Sequence, residues 1–252
     1  MSGGSQPDSG ARLDSPPRPA FVAVAHGTRS EPGTAMVRQL IDGIRAAQPA
    51  LDVREAWIEA REPDLPTALA AVDGPAVVVP LLLSVGYHLR VDLPAALAQR
   101  PATVLTRALG PDPLAATAMA DRLRAARVGH DPARTTVLVA AGSSDPDALD
   151  DLRTAVALLE AELGRPVRGA VMTAAAPLLP DALAGIPAAD SPIEIANYLL
   201  ADGYFARQMI RQAAAHGVRI VAAPLGAHPA MIALALARYG EGERDLRAAA
   251  GM

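Results

Sequence analysis

The sequence predicts an α/β protein of two tandem three-layer α/β domains, each built on a parallel sheet and related by internal duplication. Three observations predict it. Short continuous apolar runs alternate with Ala/Leu-rich amphipathic stretches, as expected of parallel strands covered by helices on both faces. The alternation restarts after a join at residues 127–134 that contains Gly129 and Pro132. Three anchors also recur at nearly constant spacing. Ala25-His26-Gly27-Thr28 matches Ala140-Ala141-Gly142-Ser143, 115 residues on (26 to 141). Gly86-Tyr87-His88 matches Gly203-Tyr204-Phe205, 117 on (86 to 203), and Leu109-Gly110-Pro111-Asp112-Pro113 matches Leu225-Gly226-Ala227-His228-Pro229, 116 on (109 to 225). Such recurrence is the mark of a repeated unit.

The elements follow in order. Residues 21–25 form an apolar strand, and 34–47 a helix stopped by Pro49. Residues 51–58 read as a strand, and 65–72 as a helix opened by Pro63-Asp64. A strand at 76–82, a helix near 93–99, a strand at 103–106 and a helix at 113–126 complete the first half. In the second half, strands at 136–140, 167–172, 193–199 and 220–223 are separated by helices near 148–163, 178–184, 206–215 and 229–239. The expected units are a flexible Gly/Ser/Pro-rich tail at 1–19, a first domain at 20–128 and a second at 134–245.

Composition bounds the chemistry. At 51% apolar the chain can bury a core, but with 3% aromatics that core is built from Ala, Val and Leu. It has no cysteine, so disulfides, thiolate metal sites and thiol nucleophiles are excluded together. A net charge of −4 argues against nucleic acid or an anionic membrane as partner. The longest apolar run, residues 76–83, is broken by Pro80 and too short to span a bilayer. The expectation is a soluble, cytoplasmic protein.

In open parallel sheets, ligands bind outside the carboxyl ends of the strands. In the first half His26 follows the first strand, Glu59 ends the second and His88 follows the third. Two imidazoles and a carboxylate on one sheet edge suit Fe, Co or Ni and proton transfer. The second half holds Ala141, Thr173 and Phe205 at the matching positions, while the surrounding glycines and prolines persist. A structural role would be needed in both copies; a site used once per molecule survives in one. Asp92, four residues after His88, either orients an imidazole or caps the helix before Pro94. Glu62 could substitute for Glu59. His130 and His216 are expected at the surface, and His228, which maps to Asp112, as a helix cap. Arg29, Arg61 and Arg90 each follow one of the three candidates, and Arg207 occupies the position of Arg90 in the second half. Such a ring of cations suits a ligand with several carboxylates.

These residues resemble the sirohydrochlorin chelatases of the CbiX type. The resemblance lies in Ala25 to Arg29, in Trp57-Ile58-Glu59 followed by Glu62-Pro63, and in Pro80 to His88 leading to Asp92-Leu93-Pro94. It covers the chain from about residue 19 to 239 in a two-domain form. The resemblance implies the chelatase fold, two Rossmann-like domains facing across a cleft. It implies insertion of Co2+, Fe2+ or Ni2+, a substrate rather than a resident cofactor, into sirohydrochlorin for cobalamin, sirohaem or related tetrapyrroles. No organic cofactor is expected. By position, His26 and His88 would handle the metal and Glu59 assist. A fused chain would work as a monomer, its second half a wall of the cleft. A carrier of metal or tetrapyrrole that turns nothing over is the competing class. A histidine phosphatase would want Arg before His26, where Ala25 stands, and a dinucleotide enzyme would want a Gly-x-Gly-x-x-Gly turn, which no first strand supplies.

Overall fold

The computed structural model describes residues 18–84, 93–98, 100, 102–127, 135–187, 190, 192–249 and 251. Most of the expected tail and of the join, and the segment 85–92, lie outside them. The first half runs β1 (Ala20–Ala25), α1 (Glu31–Ala47), β2 (Val53–Trp57), α2 (Leu65–Ala70), β3 (Ala76–Pro80), α3 (Leu93–Leu97), β4 (Thr103–Leu105) and α4 (Pro113–Ala126). The second runs β5 (Thr135–Ala140), α5 (Asp147–Leu163), β6 (Val167–Val171), α6 (Leu179–Ala184), β7 (Ile193–Tyr198), α7 (Tyr204–Ala215), β8 (Ile220–Val221) and α8 (Pro229–Ala249). All strands pair in parallel, in the order β2-β1-β3-β4 and again β6-β5-β7-β8. The two sheets bear out the doubled α/β architecture.

Alternation along the strands divides the core. Phe21, Ala23, Val77 and Val79 point inward, where with Leu138, Ala196, Tyr198 and the long helices they form one core shared by both halves. Val22, Val24 and Val78 face outward beneath α2 and α3, with Leu65, Leu69 and Leu93. Val137, Val139 and Ile195 do the same beneath α6 and α7.

The last helix of each half crosses to the other. α4 packs on β7 and β8, α8 packs on β3 and β4, and the two helices touch each other between α1 and α5. Polar locks hold the exchange. Arg127, at the end of α4, sends Nε and Nη2 to the Glu194 carboxylate on β7, each at 2.6 Å. Thr136 donates to the same carboxylate at 2.8 Å and Arg165 joins them. Burial opposes the charge on Glu194, but Arg127, Thr136 and Arg165 outweigh it and hold the carboxyl below its usual range. On α8, buried Arg238 donates to the carbonyls of Ala108 and Leu109 at 2.9 Å and to Asp112 at 2.8 Å.

Element boundaries differ from expectation in two informative places. α1 starts three residues early because Ser30 caps it, Oγ accepting from Gly33 N at 3.4 Å, with Pro32 in the first turn. α8 runs ten residues past 239. Gly240 and Gly242 look like a stop in sequence, but Gly242 lies against β3, where a Cβ would stand 2.4 Å from Val77 Cγ1. Beyond it, Glu243 binds Arg18 at 3.0 Å and accepts from Tyr239 Oη at 3.2 Å.

Candidate metal-handling site

Because every strand runs the same way, the carboxyl ends of β2, β1, β3 and β4 share one edge. The chain leaves β1 toward β2 on one side and β3 lies on the other, so the crevice at the sheet's switch point opens beside the residue after β1. That residue is His26. Two residues past β2 stands Glu59, whose N–H donates to His26 O at 3.0 Å, while Ile58 N–H donates to Ala25 O at 2.9 Å. The two loops are thereby stitched together. Gly27 makes the approach possible: its φ is +99°, and a Cβ there would lie 1.8 Å from Glu59 O. On this scaffold His26 Nδ1 comes 3.4 Å from Glu59 Oε1, with both side chains about half exposed (48% and 57%). The result is an imidazole–carboxylate pair open to solvent.

The neighbouring side chains are spoken for in different ways. Ser30 N–H donates to Thr28 Oγ1 at 3.1 Å, closing the turn that leads into α1. Arg61 donates from Nε to Thr28 O at 2.8 Å and pairs through Nη1 with Glu31 at 2.8 Å. Arg61 is thus tied into the His26 loop. Arg29 is exposed in that loop. Arg207 reaches the loop from α7 of the second half, donating to Ser30 Oγ at 3.3 Å beside Asp202 Oδ2 at 3.8 Å. Close packing fixes this junction: a Cβ on Gly33 would stand 2.0 Å from Asp202 O.

His88, Arg90 and Asp92 lie outside the described residues, as does His130. Among the described residues, no group of three or more His, Asp or Glu forms a metal cluster. Glu62 is engaged in its own turn, accepting from Asp64 N–H at 3.1 Å, so Glu59 is the carboxylate beside His26. His216 is exposed at the end of α7. His228 caps α8 as expected, Nδ1 accepting from Ala230 N–H at 3.2 Å, while Nε2 lies 3.2 Å from Asp121. Burial, against the pull of Asp121, lowers its pKa from the usual imidazole value.

The same backbone recurs in the second half. Thr173 N–H donates to Ala141 O at 3.1 Å and Met172 N–H to Ala140 O at 3.0 Å. Gly142 has φ +90°, and a Cβ there would lie 2.0 Å from Thr173 O. Ser143 Oγ accepts from Asp145 N–H at 3.1 Å, as Thr28 accepts from Ser30. Ala141 and Thr173 stand where His26 and Glu59 stand in the first half.

The repeat anchors carry no signal for Asp202 as part of this junction. Ser30-Glu31-Pro32 is a legible helix start, and reading it would have placed Ser30 beside the site; the contact with Arg207 depends on the packing of the halves.

No curated protein sequence matches the chain. In structure it resembles SirB from Bacillus subtilis with Fe3+, at 23% identity and a TM-score of 0.77, over 90% of this chain and 96% of that one. It also resembles CbiX, described as the terminal enzyme for biosynthesis of siroheme in denitrifying bacteria, at 26% identity and a TM-score of 0.66, over 86% and 98%. DR2241 from Deinococcus radiodurans, a multi-domain protein with structural similarity to chelatases, aligns at 25% identity and a TM-score of 0.74 over 92% of this chain and 56% of that. The CbiX family model matches residues 20–126 and again 135–242. Matched once in each of its halves, the chain belongs to the CbiX family.

Proposed function

We propose that this protein inserts a divalent metal ion, Co2+, Fe2+ or Ni2+, into sirohydrochlorin, using groups from its first half. The observation that carries the reading is the His26–Glu59 pair at 3.4 Å. It sits on a loop whose backbone the second half repeats with Ala141 and Thr173 in place of the ionisable side chains. Family membership supports the same chemistry, as does the SirB structure solved with iron.

Insertion displaces two pyrrole protons, so a base must take them near neutral pH. An imidazole suits that task, and Glu59, 3.4 Å from His26, assists as the neighbouring carboxylate. His26 and His88 are the metal-handling pair, one to hold the ion and one to accept a proton; imidazole holds such an ion firmly enough to position it and loosely enough to release it. Holding ion and ring together removes the entropic cost of their encounter. In this reading Arg29, Arg61, Arg90 and Arg207 serve the ring's carboxylates, Arg61 while engaged by Thr28 and Glu31. In this reading residues 20–128 carry the reactive groups and 134–245 form the opposing wall. The protein acts as a monomer in the cytoplasm, without an organic cofactor.

The test is a multiple-turnover insertion assay with sirohydrochlorin and each of the three metals, on the wild type and on His26→Ala and His88→Ala. Both variants should be severely impaired. Wild-type rates in both would remove the site assignment, and a wild type that binds ring and metal but never turns over would be a carrier.

A further inference from the structure

The chain has one Trp, four Tyr and two Phe, and Tyr204 is 64% exposed. Among the described residues it is the most exposed of the large hydrophobic side chains, and a Tyr ring offers a flat apolar face with a polar tip. Tyr204 is the first residue of α7, and Gly203 just before it packs on Thr28, a Cβ there standing 3.8 Å from Thr28 Oγ1. One turn on, Arg207 reaches Ser30. Residues three and seven apart share a helix face, so Tyr204, Arg207 and exposed Arg211 line up on one side of α7. The ring is braced from behind. Phe205, packed against the second half's outer core, meets Tyr204 edge-on with centroids 5.5 Å apart. Phe205 occupies the position of His88, so the second copy carries an aromatic brace where the first carries an imidazole.

We infer that Tyr204 is a positioning residue, a stacking platform contributed by the second half that holds the tetrapyrrole's flat face toward the His26 loop while Arg207 and Arg211 take its carboxylates. The inference rests on the function proposed above and adds a working surface to the half that has lost the ionisable groups. Aromatic rings stack on flat conjugated ligands at low entropic cost, and flanking guanidinium groups select those bearing carboxylates.

The experiment titrates the full-length protein with metal-free sirohydrochlorin, reading the absorption shift for Kd, and then measures KM and kcat for cobalt insertion. Tyr204→Ala should raise Kd and KM about tenfold, within the range for loss of one stacking contact, and leave kcat within about twofold. Tyr204→Phe, which keeps the ring face, should behave as wild type. An unchanged Kd in Tyr204→Ala, or an equal loss in Tyr204→Phe, overturns the platform while the wild-type turnover leaves the proposed function standing. A wild type that neither binds nor metallates the ring would overturn both.

Discussion

The two halves repeat one backbone and differ in what hangs from it. At the carboxyl edge of each sheet a left-handed glycine, Gly27 or Gly142, lets the first loop pass within contact of the second, and the same backbone bonds close both. Against that constancy, His26 and Glu59 face Ala141 and Thr173. Glycines and turn hydroxyls are needed wherever this edge is built, because backbone geometry requires them. Ionisable groups are needed where chemistry happens. The two halves therefore hold one scaffold constant while the ionisable groups of the proposed site are present in only the first.

The largest effect should come from the site itself. On the proposed function, His26→Ala should lower the insertion rate by about 100-fold or more, in the range for loss of a positioned catalytic group, whereas Ala141→His, which restores an imidazole to the second edge without its carboxylate, should not raise it. Steady-state kcat on the two variants checks this, and a gain in Ala141→His would break the asymmetry. Next come the locks. Glu194→Gln leaves Arg127 and Arg165 facing a buried neutral group and should cost about 3 kcal/mol in a denaturant titration. Because Glu194 is held below the usual carboxylate range, its contribution is present at neutral pH and is lost as pH falls through its folded pKa. Wild type should therefore lose more stability on acidification than the Gln variant.

Gly27→Ala and Gly142→Ala sharpen the comparison most directly. Each forces a Cβ to within about 2 Å of a carbonyl oxygen at positive φ, so each should cost on the order of 2 kcal/mol. Melting temperatures should fall together, but Gly27→Ala should lose activity at temperatures where it remains folded and Gly142→Ala should not. The smallest effect concerns His228. Its folded pKa is lowered, so the unfolded chain binds the proton first: its stabilising contribution is complete above about pH 6.5 and is lost as pH drops below that. Replacing it with Gln should reduce the drop in melting temperature between pH 7.5 and 5.5 by about 1–2 °C.

Much of the fold was legible because parallel strands buried on both faces are continuous apolar runs, as in Ala76–Pro80, and because the repeat announces itself in the Gly-Thr/Gly-Ser and Leu-Gly anchors. Where reading stopped short, the missing term was a contact across the molecule. Gly242 weakens a helix by propensity, yet α8 runs through it, and the close approach of Val77 leaves no room there for a side chain. Arg61 looks from the sequence like a free cation beside a site, yet it spends its donors on Thr28 O and Glu31. Tyr204 sits within a recognised anchor, but exposure is a property of the folded surface.

From the sequence by itself came the doubled α/β plan, the shared strand edge, and the asymmetry of His26 and Glu59 against Ala141 and Thr173, since hydrophobic period and repeat register are local quantities that the chain spells out residue by residue. Tertiary structure alone decided that α4 and α8 change places, that Glu194 gathers Arg127 and Arg165, and that Arg207 of one half reaches Ser30 of the other. Those pairings join residues far apart in sequence, and their free energy depends on distance and burial that exist only once both sheets have closed on a common core.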